Sequence, residues 1–84
     1  MKETQVGTIS HYYDHIGVGV LEVSKTVKVG DKIHIKGKVT DFTQEVGSMQ
    51  VEHKDIEEAK AKEIVGLKTD QPVEEKDDVF KVAD

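Results

Sequence analysis

The 84-residue chain has no cysteine, no tryptophan, one proline, and only two tyrosines and two phenylalanines. Without cysteine, neither a disulfide framework nor a thiolate metal site can staple the fold. At this length a single apolar core is close to the smallest that holds a domain together unaided. No run approaches the roughly 18 consecutive apolar residues needed to cross a bilayer. The opening MKETQVG also lacks the apolar segment of a secretion signal. The expectation is one domain spanning residues 1–84, in the cytoplasm and without a membrane partner. There is no internal repeat and no low-complexity tract.

What the chain does have is β-branched. Valine and isoleucine far outnumber leucine, and such stiff side chains pack well on pleated surfaces. Gln5–Tyr13 reads as a first strand, and Ile16–Val23 (IGVGVLEV) as a second. Gly17 and Gly19 stand two apart and so share one bare face. Gly30-Asp31 is a turn. In the KIHIK that follows, Ile33 and Ile35 point to the core while Lys32, His34 and Lys36 point to solvent. Residues 39–52 are extended, with Val46, Met49 and Val51 buried and an interruption at Gly47-Ser48. Asp55-Ile56-Glu57-Glu58 has the spacing of a short capping box, and Ile56 and Ala59 lie three apart. Together they predict one short helix near 55–61, entered just after His53. Strands at Ile64–Thr69 and Asp78–Val82 close the domain. Short strands at this spacing predict an all-β fold, a small six- to seven-stranded antiparallel β-barrel.

The order of these features resembles a known family. Gly17-Val18-Gly19-Val20, then VKVGDKIHI, then Ser48-Met49, then Ala59-Lys60 and IVGLK follow the pattern of the second domain of elongation factor Tu-type translational GTPases. The wording is closer still to small translation elongation factor-like proteins. It is also similar to the C-terminal barrel of collagenase-like peptidases, in which HYY, IGVGV and SMQVEH are typical. The resemblance covers about Val6 to Val82 and implies a six-stranded barrel. One departure is Lys62-Glu63, where the family writes Gly-Asp; glycine there would permit a positive backbone angle. No G-x-x-x-x-G-K-[ST] loop is present, so GTP binding and hydrolysis do not carry over. Nor do the elongation factor's aminoacyl-binding residues, since Ser10, His11 and Tyr12 stand where acidic residues are typical.

Three groups of residues are candidates for function. His11, Tyr12, Tyr13, Asp14 and His15 offer two imidazoles and a carboxylate. However, His-x-x-x-His converges on a metal from a helix, not from the end of a strand. The same tyrosines are candidate stacking surfaces for a nucleobase, with a histidine as polar partner; the plainer expectation puts one tyrosine in the barrel and the rest at its rim. Lys25, Lys28, Lys32, Lys36 and Lys38 form a basic tract around His34 that suits RNA phosphates, although lysine also commonly guards strands against mispairing. The charge is uneven: residues 1–51 carry six lysines and six acids, while residues 52–84 carry six lysines and eleven acids, the whole of the net −5. Any RNA contact therefore falls to a local patch in the first half.

Catalysis finds no support, because the serines lie outside any nucleophile-elbow pattern and the acid runs read as solvated charge. The expected protein is a non-enzymatic binding module without cofactor or metal. Its site residues are His11, Tyr12, Tyr13, His15, Lys32, His34, Lys36 and Lys38, and its partner is transfer RNA or another RNA. The alternative is an accessory domain docking on a separately encoded peptidase-family protein.

Overall fold

A computed structural model describes residues 2–52 and 54–83. Ten strands follow one another: β1 (Lys2–Tyr13), β2 (Val18–Val23), β3 (Val27–Lys28), β4 (Lys32–Lys36), β5 (Asp41–Glu45), β6 (Met49–Val51), β7 (Lys54–Ile56), β8 (Glu58–Ala59), β9 (Ile64–Lys68) and β10 (Asp78–Ala83). Eight form one antiparallel sheet in the order β5-β4-β10-β1-β2-β9-β6-β7, and β3 pairs with β8. β1 is the longest strand and serves two neighbours in turn. Its first half pairs with β10 and its second half with β2, and the register slips between Gln5 and Gly7 and again between Ile9 and His11. Each slip bends the strand, and the sheet curls so that its inward side chains meet.

The expectation of an all-β fold holds. The count of six or seven strands does not, because several extended stretches break into pieces of two or three residues. Among the described residues β5 and β7 are the two ends of the sheet, and backbone pairing does not close it into a barrel. A side chain ties β5 to the end of β9, across the gap that lies between those two strands. Gln44 of β5 is buried; its Nε2 donates to the Lys68 carbonyl at 2.9 Å, and its Oε1 accepts from the Asp70 N–H at 2.7 Å. The Lys68 N–H in turn donates to the Ser48 carbonyl, extending the β6–β9 ladder by one residue.

The core takes Ile33 and Ile35, both fully buried, as the alternation requires, together with Val6, Ile9, Leu21, Met49, Leu67 and Val79. Val46 is buried as well, while Val51 is half-buried against the core. Gly30 adopts φ 97° in its turn, where the Asp31 carboxylate accepts from the Lys28 N–H at 2.9 Å. Gly17 and Gly19 do not share a bare face. Gly17 sits in the turn before β2 with φ 66°, and Gly19 is buried in β2, where an added Cβ would lie 3.3 Å from Ile9 and Val73. Gly37 is constrained more tightly, since a Cβ there would come within 1.8 Å of the buried Asp77 carboxylate.

The helix near 55–61 is absent. Residues 54–56 and 58–59 are two short strands bent apart at Glu57. Ile56 is half-buried and Ala59 buried from extended backbone, because the bend substitutes for the helical turn that would have brought them together. Asp55 caps nothing; it faces Gln50 across the β6–β7 pair and accepts from its Nε2 at 2.9 Å. So short a segment cannot offset the cost of helix nucleation when partner strands are at hand.

The departure at Lys62-Glu63 has a visible consequence. Lys62 takes φ 74°, held there because its N–H donates to the Val23 carbonyl at 2.7 Å and Val23 donates back to Glu63 at 2.9 Å. A side chain in this conformation costs about 1 kcal/mol relative to glycine. Lys62→Gly is therefore expected to raise the melting temperature by a few degrees, about 4–8 °C per kcal/mol for a domain of this size. A differential scanning calorimetry comparison checks it. At the sheet's gap, Gln44→Leu removes both hydrogen bonds, and urea unfolding is expected to show a loss of about 1–2 kcal/mol.

Candidate functional site

The structure divides most of the predicted site residues between two places, and a third candidate place holds none of them. The first is the far end of β1. The loop carrying Glu74–Asp77 is stitched to this strand at its second register slip. The Ile9 N–H donates to the Asp77 carbonyl at 2.8 Å, and the Lys76 N–H donates to the Ile9 carbonyl at 2.7 Å. His11 and Tyr13 consequently face outward, and Tyr12 turns inward against the core. The His11 Nδ1 lies 3.2 Å from Glu75 Oε1, and its ring meets Tyr13 edge-on with centroids 4.5 Å apart. Tyr13 is 49% exposed. His15 stands alone on the turn, its side chain 98% exposed and 3.8 Å from Asp14. No three His, Asp or Glu side chains converge for a metal among the described residues. His53 lies outside the described residues.

The second place is the outer face of β4. Lys32 and Lys36 are exposed and His34 lies between them. The register sets Lys32 opposite Glu45 and Lys36 opposite Asp41 on β5, and Lys36 also opposite Asp78 on β10. Gln5 on β1 donates to Asp78 at 3.0 Å. Carboxylates thus flank Lys36 on both sides and Lys32 on one, so the stripe is not a continuous positive surface. Lysines flanked this way shield a strand from mispairing and leave little net field for a phosphate backbone. Lys25 and Lys28 lie elsewhere, the latter 3.7 Å from Glu58. Lys38 lines a hollow of about 400 Å³ together with Glu74, Glu75 and the buried Asp77.

His34, among the described residues, stands between two carboxylates on this face. Its side chain is 15% exposed. Nδ1 lies 2.8 Å from Glu3 Oε2, and Nε2 makes a short contact with Asp41 Oδ1. Phe80 on β10 lies beside the ring, with centroids 6.4 Å apart. The hydrogen bond to Asp41 raises the His34 pKa; partial burial opposes this, and Glu3 adds a further upward push. The alternation KIHIK identifies His34 as outward, but nothing in the sequence pairs it with residues 31 positions before and seven after. For Gln44 a signal did exist, since Phe42, Gln44 and Val46 alternate on the core side. Asp77 sits in an acid run that reads as solvated, and only the fold buries it.

The third place holds no predicted residue. Ile16, 64% exposed, joins Val18, Ser48, Gln50, Gly66 and Lys68 around a shallow hollow of about 310 Å³ on the outside of β2, β9 and β6. Another hollow, lined by Lys28, Val29, Glu57 and Glu58, lies beside β3 and β8.

No protein-family model matches the chain. It is 39% identical over 80 residues to an uncharacterised protease of Methanocaldococcus jannaschii, a match that covers 94% of this chain and 20% of the relative. The chain therefore spans about a fifth of the length of the curated relative it matches. Among solved structures, the C-terminal domain of a protein from Geobacillus thermoleovorans designated a U32 peptidase superposes with a TM-score of 0.88 at 20% identity, covering 94% of this chain and 92% of that one. Its selenomethionine variant gives 0.86 at 19% identity, covering 90% and 96%. These likenesses establish a shared fold. They bear on the collagenase-like peptidase side of the resemblance and lend the translation-factor side no support.

The flanking of Lys36 by two carboxylates has a measurable consequence. Lys36→Glu places like charges opposite Asp41 and Asp78 and is expected to cost about 0.5–1 kcal/mol. The loss should shrink in high salt as screening shortens the range of the repulsion. Urea denaturation of this variant and of Lys36→Gln at two ionic strengths checks it.

Proposed function

We propose that this chain is a non-catalytic accessory module that docks on a peptidase-family polypeptide, whether or not the two share one chain. One observation carries the reading: nearly the whole module matches about one-fifth of a much longer protease. A domain that recurs as one part of a long polypeptide ordinarily packs on its neighbours through a modest, partly polar interface. The fold likeness to a domain excised from the C-terminal end of another peptidase-designated protein supports the same reading. The surface chemistry is compatible with docking, since the outer face of β1, β10, β4 and β5 mixes both signs of charge. That mixture suits specific contact with a protein better than indiscriminate contact with a phosphate backbone. On this reading the module supplies position, and any bond cleavage belongs to the polypeptide it contacts.

The test mixes the purified 84-residue chain with the M. jannaschii protease from which the matching segment has been deleted. Isothermal titration calorimetry is expected to show a one-to-one complex with a Kd of about 1–100 μM, typical of inter-domain contacts lent to separate chains. Heat of binding that survives nuclease treatment and changes little with salt supports docking. Absence of binding overturns it, as would steeply salt-dependent binding to transfer RNA in the same buffer.

A further inference from the structure

We propose that Glu3, His34 and Asp41 form a protonation-dependent staple that fastens the end strand β5 to β1 across the outer face of the sheet. The proposal is independent of the docking reading. The geometry is specific. β5 and β1 are not neighbours; β4 and β10 lie between them. The His34 ring rises from β4 with one nitrogen toward Glu3 of β1 and the other toward Asp41 of β5. An imidazole can donate to two acceptors at once only as the imidazolium, because the neutral ring carries a single N–H. Removing the proton leaves one carboxylate facing a lone pair, and one arm of the staple is lost.

The groups facing the ring favour the charged form. From β1 there is Glu3, with the uncharged Gln5 in the row across from Phe80. From β5 come Asp41, the uncharged Thr43 directly opposite, and Glu45 farther along. β10 offers the uncharged Phe80 opposite the ring and Asp78 one row over, the latter engaged by Gln5. Along β4 itself, Lys32 and Lys36 oppose protonation, but each has a carboxylate opposite it in the register. Among the described residues β5 is an end strand whose ladder runs to β4 alone. Its other fastenings are the Gln44 side chain and the backbone bonds of Val46. Losing the staple therefore loosens one margin of the sheet, while the interior ladders β1–β2 and β2–β9 keep their partners.

The sign follows from linkage. The folded pKa of His34 lies above its unfolded value of 6.5. The staple's contribution is thus fully present below pH 6.5 and is lost as pH rises through the folded pKa.

The experiment uses the whole chain, following amide exchange and the histidine ring signals by NMR from about pH 6 to about pH 9. After correction for intrinsic exchange, protection of the β5 amides is expected to fall about fivefold relative to β9 amides, the equivalent of one partly exposed ion pair. In His34→Gln the difference between β5 and β9 should no longer depend on pH. A pH-dependent fall that persists in His34→Gln overturns the proposal, as does a wild-type β5 that keeps step with β9. Should His34→Gln fail to fold, Asp41→Asn decides: the His34 ring midpoint must drop relative to the wild type, and an unchanged midpoint overturns the staple. Reading each ring separately keeps the exposed His11 and His15 out of the result.

Discussion

A single sheet can bury only one of its faces, and the second sheet here, β3 with β8, is a two-stranded scrap too small to cover it. The sheet must roll until its own inward side chains meet, and the rest of the molecule answers to that curvature. Ile9 from β1, Leu21 from β2, Ile33 and Ile35 from β4, Met49 from β6 and Leu67 from β9 all become fully buried, and they reach one another only around a curled sheet. The two register slips in β1 supply bending where the longest strand would otherwise run straight. Short strands at β6, β7 and β8 let the chain turn corners that longer ones would not. At the gap between β5 and β9 curvature replaces a backbone ladder with a side chain, and Gln44 serves because its amide both donates and accepts there.

Rolling the sheet inward also fixes what the outer face can do. Charges have to lie outside, but their neighbours there are set by register. β4 contributes two lysines and a histidine, and the strands around it contribute Glu3, Asp41, Glu45 and Asp78. What reads along the chain as a basic tract is, across the sheet, an alternation of signs. That alternation removes the electrostatic ground for RNA recognition through this face. It suits the docking role proposed above, and it keeps the outer strands out of stray pairing. The match to one part of a long protease points the same way.

The misreadings share one physical cause. The capping-box pattern at residues 55–58 is a local signal, and local helix signals prevail only when the segment is long enough to offset nucleation or has nothing better to pair with. Here β6 offers Gln50 to Asp55 and β3 offers Val27 to Ala59, so extended pairing wins. Reading Gly17 and Gly19 as one bare stripe assumes that both lie in a strand, whereas the turn claims Gly17 first. The tyrosines, by contrast, follow the plainer reading: Tyr12 packs against the core and Tyr13 lies at the rim, where His11 meets its ring.

By itself the sequence determined the fold class, the inward set around Ile33 and Ile35, the Gly30-Asp31 turn and the outward place of His34. All of these depend on strand period, composition and turn chemistry, which are properties of short stretches. Tertiary structure alone decided which charges face which, that Gln44 spans the gap, that Asp77 is buried beside Gly37, and that His34 stands between two carboxylates. Those depend on the register between strands distant in sequence, and a shift of one residue would have sent each side chain to the opposite face.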